Sequence, residues 1–259
     1  MEIIFNGIIF INNIFLILKM IELFTLPKDY INIFFDWPIL FEKDGMIINL
    51  VDDCVWYSMV DTSKTELLYC RVDVKPKEKS IFQINESKIL KTFSSDVTYY
   101  MDGNAIVYKS KDGKHKLTTL SDPTLKTIEI PEKLVFPLTF DVEKKEMENV
   151  FIEVFNIVNS NKDAADHIWF HIFDNKLTIK NTNVDEQHEY TFPVEVDANG
   201  IEYKSKFSMD LLIDCLKYYK VFDTIKISMG TNLPVKFEFN KDIITFKTVA
   251  FPRIDSNDD

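Results

Sequence analysis

No GxGxxG, Walker or GxSxG pattern occurs in the 259 residues, so the chain has no glycine-rich phosphate cradle and no nucleophile elbow. Its three cysteines, Cys54, Cys70 and Cys215, are odd in number and widely spaced, with no CxxC among them. That pattern argues against a disulfide framework and reads as three reduced thiols in an intracellular protein. Basic residues are in deficit, 30 Lys and Arg against 41 Asp and Glu, which leaves a net charge of -11. A uniformly acidic surface repels phosphate, although a net charge describes no single face. Long uninterrupted apolar runs are also missing. Ile3 to Leu18 is broken by Asn6, Asn12 and Asn13, begins after Glu2 instead of a basic cluster, and has no small-residue cleavage site. It falls short of spanning length, and no membrane association is expected. Residues 1–19 are an apolar extension, either an added strand or helix on the first domain or a stretch upstream of a start at Met20.

What is present is a core-forming chain. With 46% apolar residues, 259 positions suffice for two domains of ordinary size. Asp44-Gly45, Asp102-Gly103, Asp112-Gly113 and Asn199-Gly200 each separate apolar, β-rich runs, a pattern that predicts hairpins. Four helices are predicted as a minority: Pro27 to Phe35, Asn85 to Phe93, Val142 to Asn159 and Ser208 to Tyr219. Met147, Val150, Phe151, Val154 and Val158 give the third a single apolar stripe, and Met209, Leu212, Ile213 and Leu216 do so for the fourth. Thr224 to Met229, Val235 to Phe239 and Ile243 to Ala250 read as closing strands, with Gly230 and Asn240 to Asp242 as turns. Leu120 to Pro137 carries Pro123, Pro131 and Pro137 without regular periodicity and reads as an extended connector.

The plan repeats. Ser80 to Lys109 runs strand, short helix, strand, turn, strand, and Tyr203 to Phe239 runs the same order, Phe82 answering to Phe207 and Lys91 to Lys217. The expectation is therefore an α+β fold of two similar domains, with domain 1 at 20–120, the connector at 121–137, domain 2 at 138–255 and a polar tail at 256–259.

Candidate chemistry is sparse. His167 and His171 beside Asp166 have helical metal spacing, but Ile168-Trp169-Phe170 and Ile172-Phe173 place them on a strand, facing solvent. Asp52-Asp53 has no His, Lys or glycine-rich loop tied to it and reads as a loop between strands. No catalytic cluster, metal site or cofactor site is expected, so the chain reads as a non-enzyme.

Three islands resemble a known family. A helix ending in Lys217, then TIKISMGTNLPVKFEF, then Phe251-Pro252-Arg253-Ile254, is similar to the closing half-domain of PCNA-type sliding clamps. That family usually has alanine where Phe251 stands. Ile81 to Lys91, IFQINESKILK, is similar to the family's first-domain helix, and Ile128-Glu129-Ile130-Pro131-Glu132 to its connector. The resemblance implies two tandem clamp-type domains with helices lining a ring channel and sheets outside, assembled head to tail, as a homotrimer. It implies a DNA polymerase processivity factor that encircles duplex DNA without reading sequence, partners such as DNA polymerase and a clamp loader, and a role in replication and repair. Localisation would be cytoplasmic or nucleoid in an archaeal or viral source and nuclear in a eukaryote. The alternative is a clamp-fold scaffold, viral or transcription-linked, that does not encircle DNA.

Under this resemblance Lys28, Lys88, Lys91, Lys144, Lys145, Lys217 and Lys220 face the DNA backbone. Flexible lysines suit a sliding contact, because diffuse phosphate attraction does not fix register. Asp210 and Asp214 weaken the field near Lys217, as Glu148 and Glu153 do on the third helix. Val51, Ile128, Ile130, Leu134, Pro234, Ala250, Phe251 and Pro252 correspond to the groove that receives partner peptides. The residues alone equally allow these to be core of the second domain.

Overall fold

The computed structural model describes residues 8–11, 14–17, 20–36, 46–60, 66–84, 94–103, 105–111, 113–120, 134–150, 152, 167–182, 187–196, 200–209, 212 and 221–253. Strands dominate. In the first half they are β1 (Ile8–Ile11), β2 (Ile14–Ile17), β3 (Ile21–Leu26), β4 (Met46–Leu50), β5 (Val55–Val60), β6 (Glu66–Val72), β7 (Ser80–Ile84), β8 (Val97–Asp102), β9 (Ala105–Ser110) and β10 (Gly113–Leu120). In the second they are β11 (Leu138–Glu143), β12 (His167–Phe173), β13 (Lys176–Thr182), β14 (Gln187–Pro193), β15 (Tyr203–Ser208), β16 (Thr224–Met229), β17 (Val235–Lys241) and β18 (Ile244–Ala250). Helix α1 covers Lys28–Asp36, and 144–150 are the described start of α2. The apolar N-terminal extension pairs with itself as the β1–β2 hairpin. No helix among the described residues is long and apolar enough to cross a membrane.

The chain divides into two units, 1–57 with 71–127 and 58–70 with 128–259. In the first, the strands run β5-β4-β7-β10-β9-β8-β3. Helix α1 starts after Pro27, and its first free amide, Lys28 N–H, donates to Asp96 Oδ1 at 3.0 Å. Ile31, Phe34 and Phe35 lie on one face and are buried. Phe34 meets Tyr57 edge-on at 4.9 Å, and Phe35 lies 5.9 Å from Tyr99, which stacks on Phe24 at 4.6 Å.

The second unit has one sheet ordered β11-β16-β17-β18, with β6 beside β18, and another ordered β14-β13-β12-β15. Alternation along β12 sets its faces: Ile168, Phe170 and Ile172 are buried, while His167, Trp169 and His171 are half-buried on the other side. Phe170 meets Phe207 at 5.7 Å and Phe237 of β17 at 6.3 Å, so the two sheets share one aromatic core. Met147, Val150, Met209 and Leu212 are buried too. Thr248, fully buried on β18, donates to Glu66 Oε1 of β6 at 3.2 Å and satisfies part of a buried carboxyl group.

The duplication is explicit in the pairing. β3–β8, β8–β9 and β9–β10 in the first unit correspond to β11–β16, β16–β17 and β17–β18 in the second. Likewise β7–β4 and β4–β5 correspond to β15–β12 and β12–β13. Phe82 on β7 pairs with Ile48 and Phe207 on β15 with Ile168, all four fully buried.

Several expected boundaries shift. Val142 belongs to β11, where it pairs with Ile225, so the third helix starts at 144 and not at Val142. Ser208 ends β15 opposite His167, and helix begins only at 209. The turn expected over Asn240 to Asp242 narrows, because β17 continues to Lys241 and only Asp242 takes a left-handed φ of 48°. In each case pairing with a neighbouring strand outweighs local signals. The expected helix at Asn85 to Phe93 and the turn at Asp44-Gly45 lie outside the described residues.

One ion-pair cluster in the second unit makes a pH prediction. Burial opposes the charge of Glu238, but Lys247 at 3.2 Å, a hydrogen bond from Asn240 and Lys236 at 3.8 Å outweigh it and hold the carboxyl below its ordinary value. A depressed carboxyl pKa contributes stability above the unfolded value, about 4.3, and that contribution is lost as pH falls through the lower folded value. Glu238→Gln is expected to lower the urea midpoint at pH 7. The gap from wild type should close as pH falls below about 4; a constant gap would show that the charge is not its source.

Candidate nucleic-acid and partner-peptide surfaces

Of the seven candidate lysines, three are described, all exposed and at helix starts: Lys28 on α1, and Lys144 and Lys145 on α2. Lys88, Lys91, Lys217 and Lys220 lie outside the described residues. The surroundings of α2 are acidic. A cleft of about 650 Å³ between its start, β11 and the end of β14 is lined by Asp141, Glu143, Glu146 and Glu195, with Phe140 and Phe192. Tyr190 Oη donates to Glu146 Oε2 at 2.8 Å and accepts from Asn149 Nδ2 at 2.9 Å, which fixes α2 against β14. The positive field at Lys144 and Lys145 is therefore local.

The apolar candidates separate by exposure. Pro234 and Ala250 are buried, Leu134 and Pro252 half-buried, and Phe251 is 37% exposed. The Val235–Ala250 register brings Pro234 beside Phe251 at one end of β17 and β18. This end is tied to the edge of β15: Arg253 N–H donates to Lys206 O at 2.8 Å, Asn232 N–H to Lys204 O at 3.2 Å, and Ser205 Oγ to Gly230 O at 2.7 Å. Gly230 is glycine because of crowding, since a Cβ there would stand 2.7 Å from Pro137 Cγ and 2.8 Å from Leu233 Cδ1. The end of the connector is thus pressed onto the loop before β17, and Phe136 receives the Lys236 ammonium at 5.6 Å. Val135, 81% exposed, is an apolar surface residue that sequence reasoning missed. Nothing in its apolar neighbourhood distinguishes it from core. Ile128 and Ile130 lie outside the described residues. Val51, in the first unit, is exposed at the start of the β4–β5 turn, where its N–H donates to Cys54 O at 3.1 Å.

The acidic pair Asp52-Asp53 occupies that same turn and is neutralised by cations. Lys79 pairs with Asp52, and Arg71 reaches Asp53 at 3.7 Å and Asp73 at 2.7 Å. Cys54 and Cys70 are buried, and burial pushes the Cys54 thiol above its ordinary value despite the opposing charge of Arg71. His167 and His171 lie on strand β12.

No protein-family model matches this sequence, and no curated protein sequence matches it. Solved structures do. The A. fulgidus PCNA structure with the C-terminal region of FEN-1 bound aligns over 92% of this chain and 100% of its own, at 18% identity and a TM-score of 0.75. The proliferating cellular nuclear antigen of Entamoeba histolytica aligns over 91% and 100%, at 15% identity and 0.71. The PCNA2–PCNA3 complex of Sulfolobus tokodaii aligns over 89% and 99%, at 16% identity and 0.68. Sequence motifs, a duplicated eight-strand plan and near-complete structural alignment agree that this chain has the fold of a PCNA-type sliding clamp.

Proposed function

We propose that this protein is a DNA polymerase processivity factor, a non-enzymatic ring that encircles duplex DNA and tethers replication and repair enzymes inside the cell. The observation that carries the proposal is the duplicated plan and what it leaves open. In the second unit β6 lies beside β18. By the duplication, the counterparts of β6 and β18 are β14 and β10. Beyond β13, β14 has no further strand partner among the described residues, and β10 pairs with β7 only at Thr119 and Leu120. A second copy can repeat the β6–β18 junction by setting its β10 against this β14. Such a contact is heterologous, so it closes into a ring or polymerises, and the ring read from the resemblance is a homotrimer.

The edge of β14 suits that use. Val194 N–H donates to Asn175 O, so by alternation the amides of Glu189 and Thr191 point away from β13, and Pro193, with no amide hydrogen, takes the next outward position. Light scattering should give about three chains per particle for the wild type. Thr191→Pro removes one outward amide while sparing the β13 ladder and should shift the particle to single chains. A wild type that stays monomeric at all accessible concentrations overturns the homotrimer.

The FEN-1 segment on the A. fulgidus protein supports extending the proposal to partner peptides, with Leu134, Phe251 and Pro252 as part of their groove. Ile128 and Ile130 belong to the same proposal. The acidic cleft beside Lys144 and Lys145 favours a second reading, a clamp-fold scaffold without DNA encirclement. Lys144→Glu with Lys145→Glu separates the two: processivity in a loader-dependent assay falls for a clamp and has no counterpart in a scaffold.

A further inference from the structure

The solvent face of the β14-β13-β12-β15 sheet differs in character from the rest of this acidic chain. Trp169, His171 and Phe173 follow one another on β12, at every second residue and hence about 6.8 Å apart along the strand. The rings of His171 and Phe173 are nearly parallel, 13° apart in plane with centroids 6.5 Å from each other, and Phe173 is 52% exposed. Register places lysines on both flanks of this ladder. Lys180 lies across from Trp169 and Lys176 across from Phe173 on β13, while on β15 Lys206 is opposite Trp169 and Lys204 opposite His171. The Lys204 ammonium stands 4.2 Å from the centre of the Trp169 ring and that of Lys206 5.3 Å. Among the described residues the acids on this face are Glu189, across from Lys180, and Glu202, whose Oε1 is 2.9 Å from His171 Nε2. Among the described residues, three lysines that reach solvent, Lys176, Lys180 and Lys204, and the buried Lys206 therefore face two carboxylates around three aromatic rings, in a protein whose net charge is -11.

We propose that this sheet face binds single-stranded nucleic acid along β12, with bases stacking on Trp169 and Phe173 and phosphates meeting Lys176, Lys180 and Lys204. A single strand is the occupant that uses both features. Its bases are planar and unpaired, so they reach aromatic rings standing on a sheet, and its phosphates are drawn to flexible lysines. A duplex shields its base faces and would use only the lysines. An acidic peptide would also use only the charges, leaving the ladder without a role. Lys204, now over the Trp169 ring, can swing to a phosphate when a base takes its place, since lysine is a point charge on a flexible stem. The site lies wholly within the second unit and does not depend on ring closure.

Fluorescence anisotropy of the full chain with end-labelled oligo(dT) of about twelve nucleotides tests this. Binding should be salt-dependent and tighter than for the matching duplex or for polyglutamate. Trp169→Ala should weaken it by about tenfold or more, and Phe173→Ala, at an exposed side chain, should weaken it without affecting the fold. Lys180→Glu with Lys204→Glu should reduce the salt slope as well as the affinity. The proposal fails if duplex or polyglutamate binds as tightly as oligo(dT). It also fails if Phe173→Ala and the lysine pair leave binding unchanged, or if Lys144→Glu with Lys145→Glu removes it, which would assign the binding to α2.

Discussion

Phe237→Ala is expected to lower the stability of the second unit by about 3–5 kcal/mol, the range for an aromatic ring removed from a closed core. Phe237 is fully buried on β17, 6.3 Å from Phe170 of the facing sheet and 6.5 Å from Phe239. Phe170 in turn meets Phe207, while Phe239 lies 5.3 Å from Phe222 and 5.7 Å from Phe246. Removing the ring therefore opens a void between two sheets that β-strand pairing keeps from collapsing. Such a loss is a large share of the stability of a typical domain. Equilibrium denaturation should show the midpoint falling with little change in slope. A loss below about 1 kcal/mol would mean that the sheets close over the void, contrary to the packing described.

The second large effect is expected at the proposed peptide groove. Phe251 replaces the alanine usual in the clamp motif, and it could plug the groove or form its wall. A plug would be buried, whereas Phe251 is 37% exposed beside half-buried Pro252. It is therefore expected to act as a wall that an incoming aliphatic or aromatic anchor covers. Burying one such anchor contributes about 1.5–3 kcal/mol, so Phe251→Ala together with Pro252→Ala should weaken a clamp-binding peptide by about tenfold or more. Isothermal titration with the ring mass checked in parallel measures it. Tighter binding by the variant would identify Phe251 as a plug, and an unchanged titration would remove the groove from the proposed function.

Much of the strand plan was legible in the sequence because it rests on local rules. Gly103, with φ of 62°, turns the β8–β9 hairpin where Asp102-Gly103 predicted a turn. Pro27 predicted the start of α1 to within one residue. The β12–β13 hairpin was not foreseen, because its turn is Asp174-Asn175, with φ of 50° and 56°, and lacks the glycine that usually marks one. Asparagine and aspartate tolerate this conformation, and their signal is weaker. Pro234 and Ala250 looked equally like groove and core in the sequence, and burial places both inside.

By itself, then, the sequence determined the local alphabet of this protein: strands from β-rich alternation, turns from glycine and asparagine, helix starts from proline, and a repeat visible as a recurring order of elements. These depend on backbone sterics and on periodicities of two and 3.6 residues, which are properties of neighbours in the chain. The tertiary structure alone decided that β18 lies beside β6, which face of β12 meets solvent, and that Lys176, Lys180, Lys204 and Lys206 gather around Trp169, His171 and Phe173. Cross-strand register joins residues up to about forty positions apart there, as in the pairing of Trp169 with Lys206. No local rule reaches that far, because register is set by which hydrophobic faces must be buried together.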